Sequence, residues 1–316
     1  MATTTQISSP PAGAAGDPTP AAPAPPPWLV WAALWTVYVV WGSTYLAIRV
    51  MVETMPPLLS AGARFTIAGA AMVAVLAARG RPVALTRATL GGAALVGTLL
   101  MGANGVVSVA EQEVPSGLAA LLIASVPLWV VLYRRLAGER VAAASVGAVA
   151  LGFVGVALLL RPGAQVAGVT LLGLAAVVLS AAAWALGSFL SPRVALPGER
   201  LASVGWQMLL GGLVSVIVAL AIGEGADVEP GAFSTKSLLA FGYLVAFGSW
   251  VAFTAYAWLL QNAPISKVST YAYVNPVVAI ALGALILDEA ITATTVVAAG
   301  IIVASVALVV RLERSR

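Results

Sequence analysis

Arg64 is the only charged residue that stands well inside an apolar run of this sequence. It lies about six residues from the nearer end of the run 58–78, or roughly 9 Å along a helix. A charge at that depth in lipid indicates a functional site by default, and a guanidinium there would attract the carboxylate of a bound molecule. The alternative is structural: the side chain reaches outward to water, or it pairs with Glu53, Glu111 or Glu113.

Two prolines, Pro127 and Pro276, stand inside later apolar runs. A proline within a helix removes one hydrogen bond and frees a carbonyl, and membrane carriers place binding sites at broken helices of this kind. The alternative is a kink that neighbouring groups satisfy. Asn275 stands directly before Pro276, whereas Val126 stands before Pro127, so we expect a functional break at the second proline in preference to the first.

Polar and aromatic residues share helix faces near these positions. Tyr271 and Asn275 are four residues apart, and so are Trp41 and Tyr45, so each pair lies on one face of a helix. We expect both pairs to face a cavity, although Trp and Tyr also form belts at membrane interfaces. Further candidates are other polar or aromatic residues within the runs: Ser43, Thr44, Asn104, Ser108, Ser188, Trp250 and Tyr256. The alternative for each of them is a contact between helices without a role in binding.

The chain has no histidine and no cysteine. An imidazole base, a thiol nucleophile, a disulfide framework and most zinc sites are therefore excluded, and we predict no catalytic residue, no metal site and no cofactor. No Asp or Glu stands in the middle of an apolar run, and a proton relay through a membrane usually needs such a group. This pattern favours uniport or exchange over proton coupling, with Glu111, Glu113 and Glu289 near the ends of their runs as the exception.

The composition predicts the elements that hold these residues. Apolar residues make up 61% of the 316 residues and charged residues only 9%, whereas a soluble domain has about 25% charged residues. A helix of about 20 apolar residues crosses the hydrocarbon core of a membrane. The backbone must be helical there, because lipid offers its N–H and C=O groups no hydrogen-bond partner. Ten runs have this length, at 28–50, 58–78, 89–110, 115–136, 141–160, 167–191, 201–222, 237–260, 265–287 and 291–310. The predicted fold class is an all-α integral membrane protein with ten transmembrane helices.

Two segments of the chain repeat one pattern. Pro115–Glu139 and Pro264–Glu289 each carry two prolines twelve residues apart, and each ends on a glutamate. Such internal similarity indicates a duplicated unit. Five helices in each unit force the second copy to lie inverted in the bilayer.

The repeat and the composition predict the division of the chain. We expect a first repeat at 28–163 and a second repeat at 167–311, followed by a short basic tail at 312–316. Residues 1–27 are rich in Ala and Pro and predict a disordered tail that cannot bury apolar surface.

The charges predict the orientation. With the N-terminus in the cytoplasm, most of the 16 basic residues fall on the cytoplasmic side, in clusters such as Arg134, Arg135 and Arg140. The opposite side carries most of the acids: Glu53, Glu111, Glu113, Glu224, Asp227, Glu229, Asp288 and Glu289. Both termini are therefore predicted to be cytoplasmic. The net charge of +4 lies in short clusters between apolar runs and indicates no nucleic-acid partner.

An ordered set of short segments resembles one known family. The segments are WGSTYLAIR (Trp41–Arg49), ARF (Ala63–Phe65), PSGLAALLIASVPL (Pro115–Leu128), GER (Gly138–Arg140), YAYVNPVVA (Tyr271–Ala279) and DE (288–289). Over about residues 28–311 the set resembles the drug/metabolite transporter superfamily, and more narrowly its ten-helix EamA-type exporters. The chain departs from the family pattern at Asp288, where a glycine is usual.

The resemblance implies two EamA repeats around a central cavity and export of amino acids or other small metabolites. It also implies that the first, third, fourth, sixth, eighth and ninth helices line the cavity, with the fifth and tenth helices peripheral. These properties come from the resemblance and not from hydropathy.

The sequence thus predicts a carrier in the inner cell membrane that exports a small metabolite, such as an amino acid, a related compound or a drug, by alternating access. Its partners would be this small molecule and the lipid bilayer, and the sequence gives no oligomeric state. The alternative is a flippase for lipids or polyprenyl phosphates on the same scaffold, with a lateral opening and a basic groove. A membrane enzyme for lipid-linked substrates is disfavoured, because it would normally show acids or histidines clustered at an interface.

Overall fold

The computed structural model describes residues 25–161, 168–226 and 228–312. Most of the predicted tail at 1–27, the residues after 312, the junction at 162–167 and Asp227 lie outside these ranges. The described residues form helices and turns and contain no strand, which confirms the predicted all-α fold class.

The membrane-crossing helices follow the ten predicted runs. The helices are α1 (Pro27–Met51), α2 (Pro57–Ala78), α3 (Arg87–Ala110), α4 (Ser116–Ile123), α5 (Val126–Leu136), α6 (Ala143–Leu159), α7 (Leu171–Leu190), α8 (Arg200–Ala221), α9 (Thr235–Tyr243), α10 (Ala252–Asn262), α11 (Ile265–Val268), α12 (Tyr271–Ile286) and α13 (Ala293–Leu312). A π-helical segment, Leu244–Val251, joins α9 to α10. In the described chain, 8 helical stretches are long and apolar enough to cross a membrane, with α4–α5 and α9–α10 each forming one stretch. The shorter apolar helices α6 and α12 complete the ten.

The helix breaks near the two prolines do not lie where the sequence predicted them. The fourth span breaks at 124–125, so that Pro127 becomes the second residue of α5. α12 runs through Pro276 without a break, and the ninth span is interrupted earlier, at 269–270. The preference for a break at Pro276 was therefore wrong. Pro127 fits a helix start, since the first four N–H groups of a helix have no partner within it.

The two repeats interlock as inverted copies. α2 packs along α8, and α6 packs along α13, so both contacts join equivalent helices of the two halves. The contact of α3 with α7 has its counterpart in that of α10 with α1. In each such pair of contacts the two repeats exchange roles, which is expected of two inverted five-helix repeats.

Asp288 has a left-handed backbone conformation. Its φ is 52°, and Gly138 at the matching position of the first repeat has a φ of 81°. Each repeat thus turns left-handed just before its glutamate, a conformation that glycine adopts without steric cost. Aspartate is among the few other residues that tolerate it, which accounts for the departure from the family pattern at this position.

We expect Asp288→Gly to raise the free energy of unfolding by up to about 1 kcal/mol, because it removes the strain of a Cβ in this region. Asp288→Val should lower it by about 1–2 kcal/mol, since a β-branched residue fits the left-handed region poorly. Thermal unfolding of the purified protein in detergent measures both changes. Asp288→Asn removes the charge but keeps a side chain that tolerates the left-handed conformation, and it serves as the control. Equal stability of the Gly and Val variants would contradict the explanation.

Candidate functional site

An internal cavity lies between the two repeats. Its volume is about 110 Å³, enough for several water molecules or a small ligand. Its walls come from α1, α2, α3, the junction of α4 and α5, α7, α10 and α12. Neither α6 nor α13 contributes to the walls, in agreement with the peripheral fifth and tenth helices that the resemblance implied. α2 contributes Arg64 and Phe65, although the second helix was not among those implied.

Arg64 faces this cavity and is only 3% exposed. Its Nε donates a hydrogen bond to Ser249 Oγ at 2.9 Å, from the π-helical segment, and its guanidinium carbon lies 4.5 Å from the centre of the Phe65 ring. In the described part of the chain, Arg64 takes part in no ion pair. The side chain therefore neither reaches the surface nor pairs with an acid, and its two terminal nitrogens are available to an anionic group.

Asn275 offers a second free polar group. It lines the cavity from α12 and is 8% exposed. Its Oδ1 is buried and has no hydrogen-bond partner among the described residues. A buried acceptor without a donor costs about 1–3 kcal/mol, so this oxygen is suited to an N–H or O–H group of a bound molecule.

An aromatic cluster forms one wall of the cavity. The ring of Trp41 lies 5.1 Å from that of Phe253, 5.1 Å from that of Tyr256 and 5.3 Å from that of Tyr271. Tyr256 and Tyr271 are themselves 5.6 Å apart in a T-shaped pair. These contacts hold the rings in place, and the faces of such rings attract apolar groups and cations.

Most of the residues selected from the sequence line the cavity. They are Trp41, Thr44, Tyr45, Arg64, Asn104, Pro127, Tyr271, Asn275 and Pro276. Both pairs that were expected to share a helix face, Trp41 with Tyr45 and Tyr271 with Asn275, are among them.

The other selected residues do not line the cavity. Tyr256 lies behind Trp41 and Tyr271, where it supports their rings. The remaining four use their polar groups within the protein: Ser43 with the Tyr243 hydroxyl (2.6 Å), Ser108 with the Asn104 carbonyl (3.1 Å), Ser188 with the Trp184 carbonyl (2.9 Å) and Trp250 with the Ala68 carbonyl (3.0 Å). These bonds fit the alternative of structural contacts.

Sequence analysis missed several wall residues. Ser180 and Trp184 line the cavity from α7, one turn apart, and Phe253 lines it from α10. Trp184 carried a usable signal, because a tryptophan in the middle of a span lies too deep for an interfacial belt. Phe65 stands next to Arg64 in the sequence, lines the cavity, and its ring contacts that guanidinium.

One end of the bundle, which we call the acidic end, carries Glu111, Glu224 and Glu289. Glu289 accepts hydrogen bonds from the N–H of Ser116 (2.7 Å), the N–H of Gly117 (3.1 Å) and the Ser116 hydroxyl (3.1 Å). A carboxylate is stabilised at such a helix N-terminus by the free N–H groups and the helix dipole. These three hydrogen bonds join α4 of one repeat to the segment after α12 of the other and hold the acidic end closed.

The opposite end, which we call the basic end, carries Arg134 and Arg193 and is held differently. Glu139, the counterpart of Glu289, binds Arg134 Nε at 2.7 Å and also pairs with Arg193. The hydrogen bond from Arg134, with the charges of both arginines, holds the pKa of Glu139 below its usual range. α5 packs on α6, α7 and α13, and in the described chain it has no substantial packing against α1, α10 or α12. The two repeats therefore meet at both ends. At the acidic end they meet through α4 and the segment after α12, and at the basic end through the packing of α5 on α7 and α13 and the pair of Glu139 with Arg193.

Two inverted helical repeats around a mainly apolar cavity that contains a few polar groups define the class of membrane carriers. Comparison with known proteins agrees with this class. Residues 27–161 and 171–311 match the EamA-like transporter family, and the chain belongs to that family. It is a membrane transporter of the drug/metabolite transporter type.

Several relatives are transporters by name. The chain is 39% identical over 279 residues to the "Uncharacterized inner membrane transporter YedA" of Escherichia coli K12, covering 88% of this chain and 89% of the relative. It is 25% identical over 272 residues to a "Probable amino-acid metabolite efflux pump" of the same organism, covering 81% and 86%. A solved crystal structure matches with a TM-score of 0.61 and 22% identity, covering 91% of this chain and 99% of that one, and supports the fold alone.

Proposed function

We propose that the protein exports a small metabolite that carries a carboxylate, with amino acids as the first candidates, through the cavity between the repeats. The observation behind this proposal is Arg64, a buried cation without an acidic partner in the described chain, on the cavity wall. A buried charge is stable only when it is paired, and the carboxylate of a substrate would pair it. The efflux pump to which this chain is 25% identical, named for amino-acid metabolites, supports the same substrate class.

The rest of the cavity suits the remainder of such a molecule. The free Oδ1 of Asn275 would accept a hydrogen bond from an amino group. The aromatic cluster around Trp41 and Tyr271 would pack against an apolar side chain or a cationic group. Arg64 and Asn275 lie on helices of different repeats, so a bound molecule would connect the two halves.

Transport would proceed by alternating access. The acidic end, where Glu289 is bonded to the start of α4, is closed in one of two states, and the other state would open it. In this proposal the repeats at 28–163 and 167–311 are the moving units. The tails at 1–27 and 312–316 lie in the cytoplasm, and the membrane is the inner membrane named for the YedA relative.

We expect cells that express the protein to accumulate extracellular amino acids or other carboxylates relative to cells without it. Asn275→Ala should lower this enrichment about tenfold for molecules with an amino group, since a hydrogen bond to a charged donor contributes about 1.5–3 kcal/mol. An untargeted comparison of extracellular metabolites measures the effect. Asn262→Ala is the matched control, because Asn262 bonds the Trp258 carbonyl at the far end of α10. Enrichment restricted to compounds without a carboxylate would contradict the proposal.

A further inference from the structure

Glu111 is a buried acid that the transport path described above does not use. It follows the last residue of α3 at the acidic end and is 0% exposed. Neither carboxylate oxygen has a hydrogen-bond partner among the described residues. Buried carboxylates in proteins are normally paired or accept several hydrogen bonds, so this one is unusual.

The neighbouring groups do not satisfy the Glu111 carboxylate. Arg49 of α1 donates to the backbone carbonyl of Glu111 and not to its side chain. Glu289, after α12, is bound to the start of α4 and adds a second negative charge nearby. Among the described residues, Glu289 and Arg49 are the charged groups that act on Glu111, and Glu111 in turn acts on Tyr45 of α1. Burial, followed by the charge of Glu289, raises the pKa of Glu111 well above its usual range, and Arg49 opposes this rise.

These surroundings favour the neutral acid in the closed state. An ionised carboxylate here would have no donor, little water and a like charge beside it. If the acidic end opened, water would reach the group and the carboxyl would return toward its ordinary pKa. A group with different pKa values in two states ties its proton to the change of state.

We propose that Glu111 is a proton-binding site that takes up one proton when the acidic end closes and releases it to water when this end opens. The inference rests on the alternating access proposed above. Tyr45 lies on the cavity wall, and the charge of Glu111 acts on it, so the proton site lies beside the substrate site. Uniport or exchange was favoured because acids are absent from the middle of the spans, and Glu111 at the end of α3 was one of the exceptions to that argument.

The sign of the pH dependence follows from the raised pKa in the closed state. The stabilisation of the closed state by the bound proton is complete at pH values below the ordinary pKa range of a carboxyl group. It falls as the pH rises above that range and is lost above the raised pKa of Glu111. Within this window the ratio of open to closed protein should rise about tenfold for each pH unit, because one proton is exchanged.

Introduced cysteines can measure this ratio, because the chain has none of its own. Val114→Cys places a thiol at a position that is 0% exposed in the closed state. Gln112→Cys places one at an exposed position in the same turn and corrects for the reactivity of thiols at each pH. The labelling rate of each full-length variant with a water-soluble maleimide is measured in detergent from about pH 5 to about pH 8.

We expect the labelling rate of the Val114→Cys variant, divided by that of the Gln112→Cys variant, to rise with pH. After Glu111→Gln is added to both variants, this ratio should stay low and constant. Glu113→Gln is the matched control: Glu113 is exposed, bonds Thr170, and should leave the pH dependence intact.

Three results would contradict the inference. A constant ratio without the Glu111 substitution, or an equal slope with it, would overturn the proton site. The first of these results needs no folded Gln variant. A Val114→Cys variant that is not labelled at any pH would overturn the opening of the acidic end, and with it the alternating access on which the inference rests.

Discussion

Arg64→Gln is expected to lower the transport rate of carboxylate substrates by at least about 100-fold. Removing one partner of a buried charge pair costs about 3–5 kcal/mol, and every 1.4 kcal/mol is about tenfold in affinity. Glutamine keeps the three side-chain carbons of the arginine stem and a polar end, but it is uncharged and two heavy atoms shorter, so the cavity becomes somewhat larger. Uptake of labelled amino acids into liposomes that contain the purified protein measures the effect.

A structural role for Arg64 makes a different prediction. If the side chain served the fold, Arg64→Gln would destabilise the protein. Because Arg64 has one hydrogen bond, to Ser249, and no acidic partner in the described chain, we expect thermal stability in detergent to stay the same or rise. Lost transport with unchanged stability would support binding, whereas parallel losses would contradict it.

Three comparisons sharpen the Arg64 experiment. Arg64→Lys keeps the charge but loses the planar fork that matches a carboxylate, so its transport should be intermediate. Arg79→Gln removes an arginine at the other end of α2, at an exposed position, and should change neither transport nor stability. An amine that lacks the carboxylate of the tested amino acid should be transported no worse by Arg64→Gln than by the unsubstituted protein.

Gly97→Ala is expected to give a large loss of stability. A Cβ on Gly97 would lie 2.2 Å from the Gln207 carbonyl oxygen of α8. On the other side of this contact, a Cβ on Gly211 would lie 2.2 Å from the Gly97 carbonyl oxygen. Backbone atoms cannot move aside as a side chain can, so α3 and α8 must separate. Overpacking of this kind costs about 1–3 kcal/mol and occasionally more, and we expect the upper part of that range.

Gly102→Ala is the matched control in the same helix. A Cβ at Gly102 would have no neighbour within 4 Å, and alanine favours a helix over glycine by about 1 kcal/mol. Gly102→Ala should therefore leave the melting temperature unchanged or raise it, while Gly97→Ala lowers it. Thermal unfolding of both variants in detergent tests the contrast, and similar melting temperatures would show that α3 and α8 do not depend on this close contact. Gly97→Ala combined with Gly211→Ala should be less harmful than the sum of both, because one separation of the helices accommodates both methyl groups.

Much of the architecture follows from patterns along the chain. Helices are obligatory in lipid and have a minimum length there, so apolar runs alone predict the spans. The two proline-spaced segments that end at Glu139 and Glu289 indicate the duplication, and the odd number of helices in each copy requires inversion. Spacing by four also places Trp41 with Tyr45, and Tyr271 with Asn275, on common faces, because that relation is local to one helix.

Other features depend on contacts between distant parts of the chain. The sequence pattern does not distinguish Ser188, which bonds its own helix, from Ser180 and Trp184, which line the cavity. It favoured a break at Pro276, but the break lies beside Pro127. It left Arg64 open between pairing and binding, and it placed Glu111 only near the end of a run. The physical reason is that spacing determines which residues share a helix face, whereas the packing of other helices determines whether that face meets a cavity, lipid or another side chain.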